Sequence, residues 1–469
     1  MRYYIEPWAH QHKAIEFSHS HPDVALFWEM GTGKTATTIN ILRHKYLKHD
    51  TILSTLIFAP IVVLENWKAE FKAHGLVDDR KMVILKGTGK QKAKQIMAVV
   101  NAPDKNLIII GNYEIMQSKE VVEALTKWAP KIMVCDESHR CKSYKSVRAR
   151  AIAKLSAGCK YRYLLSGTPV LNSPMDVFMQ FKILDGGKTF GSNFWIFQKE
   201  YFYDANAGMP SHVHFPNWKP KPGIYKRFNE LLSTCSLRAT KDECLDLPPF
   251  IRETRFVEMN PEQKKAYNEM RNDFVTYIKD EACVAQLAIT KGLRLQQIVS
   301  GFIKTDDGNT VRFAKTPREK ELETLLGDLT PTSKVIVWAC FKENYKQIAE
   351  ICEKLNVGYT QLHGGIKDKE SELVQFREND RVRVMIANPQ SAGLGVNLIE
   401  AGYSVYYSKN FSLEADLQSE ARNHRGGSEK LHDKITRIDL VAKDTLDEQV
   451  TAALASKQNV ASAILDWEI

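Results

Sequence analysis

The chain has 469 residues, with 65 lysines and arginines against 56 aspartates and glutamates, a formal charge of +9, 43% hydrophobic residues and 26% charged residues. That length exceeds the roughly 100 to 200 residues of one domain and implies two large lobes, while the balance of apolar and charged residues excludes a disordered chain. No apolar run approaches the roughly 18 residues of a membrane span, the N-terminal residues have no apolar signal core, and the cysteines show no paired spacing, so a reducing, cytoplasmic setting without membrane insertion is expected.

Short apolar runs recur from the N-terminus onward, at 24–28 (VALFW), 56–59, 107–111, 131–136 and 161–167, with helix-compatible stretches between them. Runs that are apolar on both faces suit the buried strands of a parallel sheet. The first of them leads straight into MGTGKT, Met30, Gly31, Thr32, Gly33, Lys34 and Thr35, which is followed by a helical stretch. Strand, loop and helix in that order form a phosphate cradle: Gly31 and Gly33 let the backbone approach, amide groups at the helix start attract negative charge, Lys34 reaches the outer phosphates and Thr35 ligates Mg2+. Trp28 stands where the first glycine of the usual pattern would be, so the loop is a variant.

The run KIMVCDESHR, 131–140, carries an apolar strand into paired carboxylates. At the C-terminal end of a parallel strand these side chains face the ligand crevice, where Asp136 suits Mg2+ and Glu137 suits the attacking water. Taken alone, Asp-Glu at this place would be a solvated, helix-capping turn; the phosphate loop upstream selects the catalytic reading.

From about 186 to 249 the chain becomes rich in Gly, Pro and aromatic residues, and from about 261 to 302 it reads as long and helical. Two basic stretches stand out. Residues 80–94 hold six cations and no acid, and residues 215–228 interleave four cations with Phe215, Trp218, Tyr225 and Phe228. A basic and aromatic loop can hold a nucleic-acid strand, so Trp218, Lys219 and Lys221 are candidates, although Pro-rich loops with cations are more often solvated surface. His212 and His214 lack further ligands at metal spacing and read as surface residues. A second strand and helix series begins near Lys334, with strand-like segments at 334–339, 359–364, 383–388, 404–409 and 435–442, which predicts a second doubly wound lobe.

The motifs in this order resemble helicase superfamily two, and within it most closely the Snf-type DNA translocases. The likeness runs from about residue 5 to 450 through the phosphate loop, DESHRCKS, the stretch 56–71 ending in NWKAEF, SGTPVLNS within 164–177, SAGLGVNLIEA at 391–401 and QSEARNHRGG at 418–427. It departs where Gly426, Gly427 and Ser428 follow Arg425 and where Thr32 stands between the loop glycines.

The resemblance implies two tandem RecA-like lobes, at 1–185 and 316–469, around a helical and irregular insertion at 186–315. It makes Gln11 the adenine reader, gives Gly395 a close approach to nucleotide, and supplies Arg425 as a finger on the terminal phosphate of ATP with Arg422 beside it. Motif III, with Ser166 and Thr168, would couple nucleotide state to the track. Pro60, Asn66, Lys68, Tyr113, Lys342, Ser391 and Asn397 are candidate contacts to the nucleic-acid backbone, while Trp67 is expected in the core. The implied activity is ATP-dependent movement on duplex, forked or branched DNA by branch migration, fork remodelling or unwinding, in repair, recombination or replication. A monomeric motor of a compact phage or bacterial type is expected, in the bacterial or host cytoplasm or, in a eukaryote, the nucleus. An RNA helicase of the same superfamily and a DNA-binding scaffold with vestigial hydrolysis are the rival readings.

Overall fold

The computed structural model describes residues 3–74, 81–104, 106–209, 216–279, 285–305, 308–390 and 396–465. The chain forms two compact units, Met1–Leu245 with Lys457–Ile469, and Asp246–Ser456. The stretch 186–315 is divided between them.

The first unit is built on a seven-stranded sheet of order β3-β4-β2-β5-β6-β1-β9, parallel throughout. Its strands are β1 (Asp23–Trp28), β2 (Thr55–Phe58), β3 (Met82–Ile84), β4 (Ile108–Gly111), β5 (Ile132–Asp136), β6 (Tyr161–Leu165) and β9 (Ser236–Ala239); a small antiparallel pair, β7 (Phe202–Asp204) and β8 (Trp218–Pro220), precedes β9. Both faces are buried, as the continuous apolar runs require. Along β1, Ala25 and Phe27 enter one core while Val24, Leu26 and Trp28 enter the other, the two-residue alternation of a pleated strand. Helices Ala9–Ser20, Lys34–Lys48 and Leu64–Ala73 close the second of these cores with Ile15, Ile39, Leu42, Trp67 and Phe71.

The second unit holds a six-stranded sheet, β10-β17-β16-β13-β15-β14, again parallel. Its strands are β10 (Phe250–Val257), β13 (Lys334–Trp338), β14 (Gly358–Leu362), β15 (Val382–Ala387), β16 (Ala401–Tyr406) and β17 (Ile435–Ala442), and a hairpin of β11 (Phe302–Lys304) and β12 (Thr310–Arg312) follows the helices Pro261–Lys279 and Ala285–Val299. Val335 and Val337 of β13 face one core, Ile336 and Trp338 the other.

All ten segments read as strands are strands, and the α/β class with two doubly wound parallel sheets is observed. Three sheet strands lay outside those segments. β3 has three residues inside a basic stretch; β9 comes from the stretch read as irregular; β10, FIRETRFV, is largely exposed and carries charges where a buried strand would be apolar. Among the described residues no helix is long and apolar enough to cross a membrane.

Candidate active site

Because β5, β6 and β1 are adjacent and parallel, their C-terminal ends bring the acidic pair, Ser166 and the phosphate loop to one edge of the first sheet. The loop turns on Gly31 and Gly33, at φ 88° and 82°, values that side-chain-bearing residues rarely adopt. A Cβ on Gly33 would lie 2.1 Å from the amide nitrogen of Gln11. Thr32 is buried, its hydroxyl donating to the Glu29 carbonyl at 2.8 Å, while its own carbonyl accepts from His10 at 2.8 Å and from the Gln11 amide at 3.4 Å. Gln11 also accepts from the Trp8 N–H at 2.9 Å, so it is pinned to the loop that it is expected to serve.

The helix Lys34–Lys48 starts on Gly33 without a side-chain cap, leaving its first amide groups open to an anion. Lys34 donates to the carbonyls of Trp28 at 2.8 Å and Glu29 at 3.1 Å. Burial pulls its pKa below the usual lysine value, and Glu137, Asp136 and Glu29 oppose that shift.

At the end of β5, Asp136 accepts a hydrogen bond from the Trp67 indole at 2.9 Å, and its backbone carbonyl accepts from the Tyr113 hydroxyl at 2.6 Å. Burial, reinforced by Glu137, pushes its carboxyl up to about 6, against the indole hydrogen bond and Lys34. Glu137 sits at φ 54°, ψ 55°, a left-handed conformation that costs a non-glycine residue about 1–3 kcal/mol and is held by what surrounds it. The next residue, Ser138, is fully buried and donates to Gln180 at 2.7 Å; the Gln180 amide in turn donates to the carbonyls of Pro169 and Asp176. His139 stands 3.5 Å from the Glu137 carboxylate and 3.1 Å from the Ser166 hydroxyl, and that hydroxyl accepts the Thr168 N–H at 3.1 Å. Glu137 thus lies beside the His139–Ser166 pair at the end of β6, and its buried Oε2, the oxygen nearest that ring, makes no hydrogen bond among the described residues.

The donor set fits a magnesium-bound triphosphate. Amide groups, an ammonium and a helix start meet the phosphates, and hard oxygens on Thr35 and Asp136 suit Mg2+. Met30 lies on the same loop.

The track candidates fare unequally. Tyr113 is fully buried with its hydroxyl committed to Asp136, so it is a support of the site and not a nucleic-acid contact. Pro60 is buried and its carbonyl is taken by the Val63 N–H, which likewise withdraws it. Trp67 packs in the core as expected, and its bond to Asp136 is a role that the sequence did not signal. Asn66 and Lys342 are exposed, Lys68 is half-buried, and the buried Oδ1 of Asn397 lacks a hydrogen-bond partner among the described residues. Ser391, Gly393 and Gly395, like His212, His214 and Phe215, lie outside the described residues. In the basic and aromatic stretch, Phe228 is core, Trp218 packs half-buried against it, Lys221 donates to the Lys199 carbonyl and Arg227 pairs with Glu200, leaving Lys219 and Lys226 exposed.

In the second unit the arginine pair does not lie on a helix. The helix Leu413–Glu420 ends first, and Arg422 and Arg425 occupy the turn that follows. Buried neighbours force the turn: Asn423 donates to the Ala401 carbonyl and accepts from Ser404, His424 packs on Phe250 and bonds the Pro248 carbonyl, and Gly427 reaches φ 103°. Arg422 is 8% exposed and donates to the Val396 carbonyl at 3.3 Å. Arg425 makes no ion pair among the described residues, and burial lowers its pKa. Beneath the turn, Arg437 of β17 stacks on Tyr406 at 3.9 Å and pairs with Asp416, Glu420 and Asp439 at 2.8, 2.9 and 3.1 Å, tying the preceding helix to the sheet.

Residues 10–302 match the SNF2-related domain, and residues 318–427 match the helicase conserved C-terminal domain. The chain is 25% identical over 446 residues to an uncharacterized ATP-dependent helicase of Mycoplasma pneumoniae, covering 93% of this chain and 40% of that protein. It is 24% identical over 451 residues to putative protein p41 of Acyrthosiphon pisum secondary endosymbiont phage 1, covering 93% of each. Among solved structures it is similar to a Sulfolobus solfataricus SWI2/SNF2 ATPase core in complex with dsDNA, at 19% identity and a TM-score of 0.46, covering 100% of this chain and 98% of that one. The chain spans about 40% of the length of the helicase relatives it matches in Mycoplasma pneumoniae and Mycoplasma genitalium. With the first domain alone extending from residue 10 to 302, the chain belongs to the SNF2-related family and carries that family's helicase C-terminal domain behind it.

Proposed function

We propose that the chain is an ATP-driven motor that moves on double-stranded or branched DNA, remodelling forks or junctions or unwinding them. The observation that carries this reading is the convergence of phosphate loop, acidic pair and Ser166 at one sheet edge, with His139 standing between Glu137 and the Ser166 hydroxyl.

In this mechanism the amides around Gly31 and Gly33, the start of the Lys34 helix and the Lys34 ammonium hold the phosphates of ATP, and Gln11 reads the base. Thr35 and Asp136 hold Mg2+, which when bound neutralises charge on the outer phosphates. Glu137 orients the attacking water and takes its proton. Arg425, with Arg422 beside it, supplies positive charge to the terminal phosphate. Loss of that phosphate reaches Ser166 and Thr168 through His139, which offers a route from hydrolysis to track release. Asn66, Lys68, Lys342, Ser391, Asn397 and Lys219 are the proposed contacts to the DNA backbone, which suits a chain with an excess of positive charge.

A motor of this kind serves DNA repair, recombination or replication in a bacterial or phage-infected cytoplasm, working as a monomer. ATP turnover measured with duplex, forked, four-way and single-stranded DNA and with single-stranded RNA tests the reading. Strong stimulation by forked or four-way DNA and none by RNA is the expected result. Stimulation by RNA alone would make it an RNA helicase, and turnover indifferent to every nucleic acid would leave only a nucleotide-gated scaffold.

A further inference from the structure

Between the helices Val147–Ser156 and Val177–Asp185 of the first unit runs a groove of about 750 Å3 whose lining includes none of the nucleotide-site residues. Four cations line it, Lys145, Arg150, Lys154 and Lys182, and no carboxylate does. Arg150 and Lys154 stand one turn apart on a helix that contains no acid, where like charges repel. Among the described residues neither they nor Lys145 form an ion pair, and Lys182 reaches only the Ser192 carbonyl, at 2.7 Å. Positive charge of this kind, held together without a counter-ion, is suited to an anionic occupant.

The rest of the groove is apolar. Ala157 is exposed along it and Ala153 partly so, above the buried Phe178 and Met179, and at one end Tyr144 stacks on Phe194 with centroids 3.5 Å apart. Trp195 meets Tyr144 edge-on at 5.8 Å and is 59% exposed, an aromatic side chain left largely in solvent beside a cluster of cations. A phosphodiester chain would satisfy the cations but leave this apolar surface uncovered, and Phe194 already occupies a face of Tyr144 on which a base would stack. A peptide with carboxylates on either side of an aromatic or aliphatic side chain matches both features, because its anchor covers the floor while its charges meet the walls.

We propose that the groove docks a short acidic segment of a partner protein, with carboxylates on Arg150, Lys154 and Lys145 and an apolar anchor against Ala157, Phe194 and Trp195. The proposal is independent of the motor reading.

The test titrates the full chain into a short fluorescein-labelled peptide in which aspartates and glutamates flank a Leu-Phe pair, following anisotropy. Saturable binding is expected, weakened at least about tenfold by the double change Arg150→Glu and Lys154→Glu. A similar loss is expected for Ala157→Trp, which fills the groove without altering its charge, and for a peptide with serines in place of Leu-Phe. Thermal unfolding and ATP turnover of both variants should match the parent chain. Undiminished binding to either variant would overturn the proposal. So would a peptide that binds equally well without its apolar pair and is displaced from the groove by duplex DNA, which would make the surface a nucleic-acid contact.

Discussion

Asp136 offers the sharpest quantitative test, because the feature that suits it to catalysis also strains the fold. Its carboxyl is pushed from 3.8 to about 6, first by burial and then by Glu137. A folded-state pKa above the unfolded one means that the stabilising contribution is fully present below pH 3.8 and is lost as pH rises through 6. At about 1.4 kcal/mol per unit, a shift of this size corresponds to an upper bound of about 3 kcal/mol at pH 8. Asp136→Asn removes the charge and keeps a carbonyl oxygen for the Trp67 indole. The variant should therefore be more stable than the parent by about 1–3 kcal/mol at pH 8, with the gain fading toward pH 4.5. Urea unfolding of the nucleotide-free chain at the two pH values, followed by tryptophan fluorescence, reads this directly. A variant that is less stable at pH 8, or one whose gain is the same at pH 4.5, would refute the argument that desolvation dominates at this carboxylate.

Other outcomes follow from the same geometry. Arg425→Ala should lower the rate of ATP turnover while leaving equilibrium nucleotide binding nearly unchanged, since the guanidinium is assigned to charge developing in the reaction; parallel loss of binding, measured by fluorescent-nucleotide titration, would contradict that role. Arg437→Met should cost about 3–5 kcal/mol in thermal or urea unfolding, because it strands three carboxylates around a nearly inaccessible site. Glu137→Gly should be more stable than Glu137→Gln by about 1 kcal/mol, since only glycine relieves the left-handed backbone, although both should lack turnover. Equal stability would mean that the backbone at this position is not strained.

Much of this was readable from residue order alone, and the reasons differ by element. Most of the central strands were legible because a parallel sheet covered on both faces favours apolar runs, whereas the edge strand β14, GYTQL, is polar and only partly buried. β10 escaped because it is an edge strand with exposed Arg252 and Arg255, so its sequence obeys solvent instead of a core. The phosphate loop and acidic pair were legible because their chemistry fixes residue types at fixed spacing. The bond from Trp67 to Asp136 was not, since an indole on the buried face of an amphipathic helix looks the same whether its N–H is idle or committed 69 residues away. Tyr113 misled for a related reason: following a strand end, it resembled a surface contact, yet its hydroxyl turns inward. The arginine pair looked helical by its spacing of three, but the turn is dictated by the burial of Asn423 and His424, polar residues that no periodicity marks as core.

The central claim is that Glu137 activates the water that attacks ATP held by the Lys34 loop. Measuring ATP binding and turnover side by side in the parent chain and in Glu137→Gln, with and without forked duplex DNA, tests it most directly. The variant should bind ATP as tightly as the parent and turn over none, with DNA present or absent. Turnover comparable to the parent in Glu137→Gln would place the chemistry elsewhere.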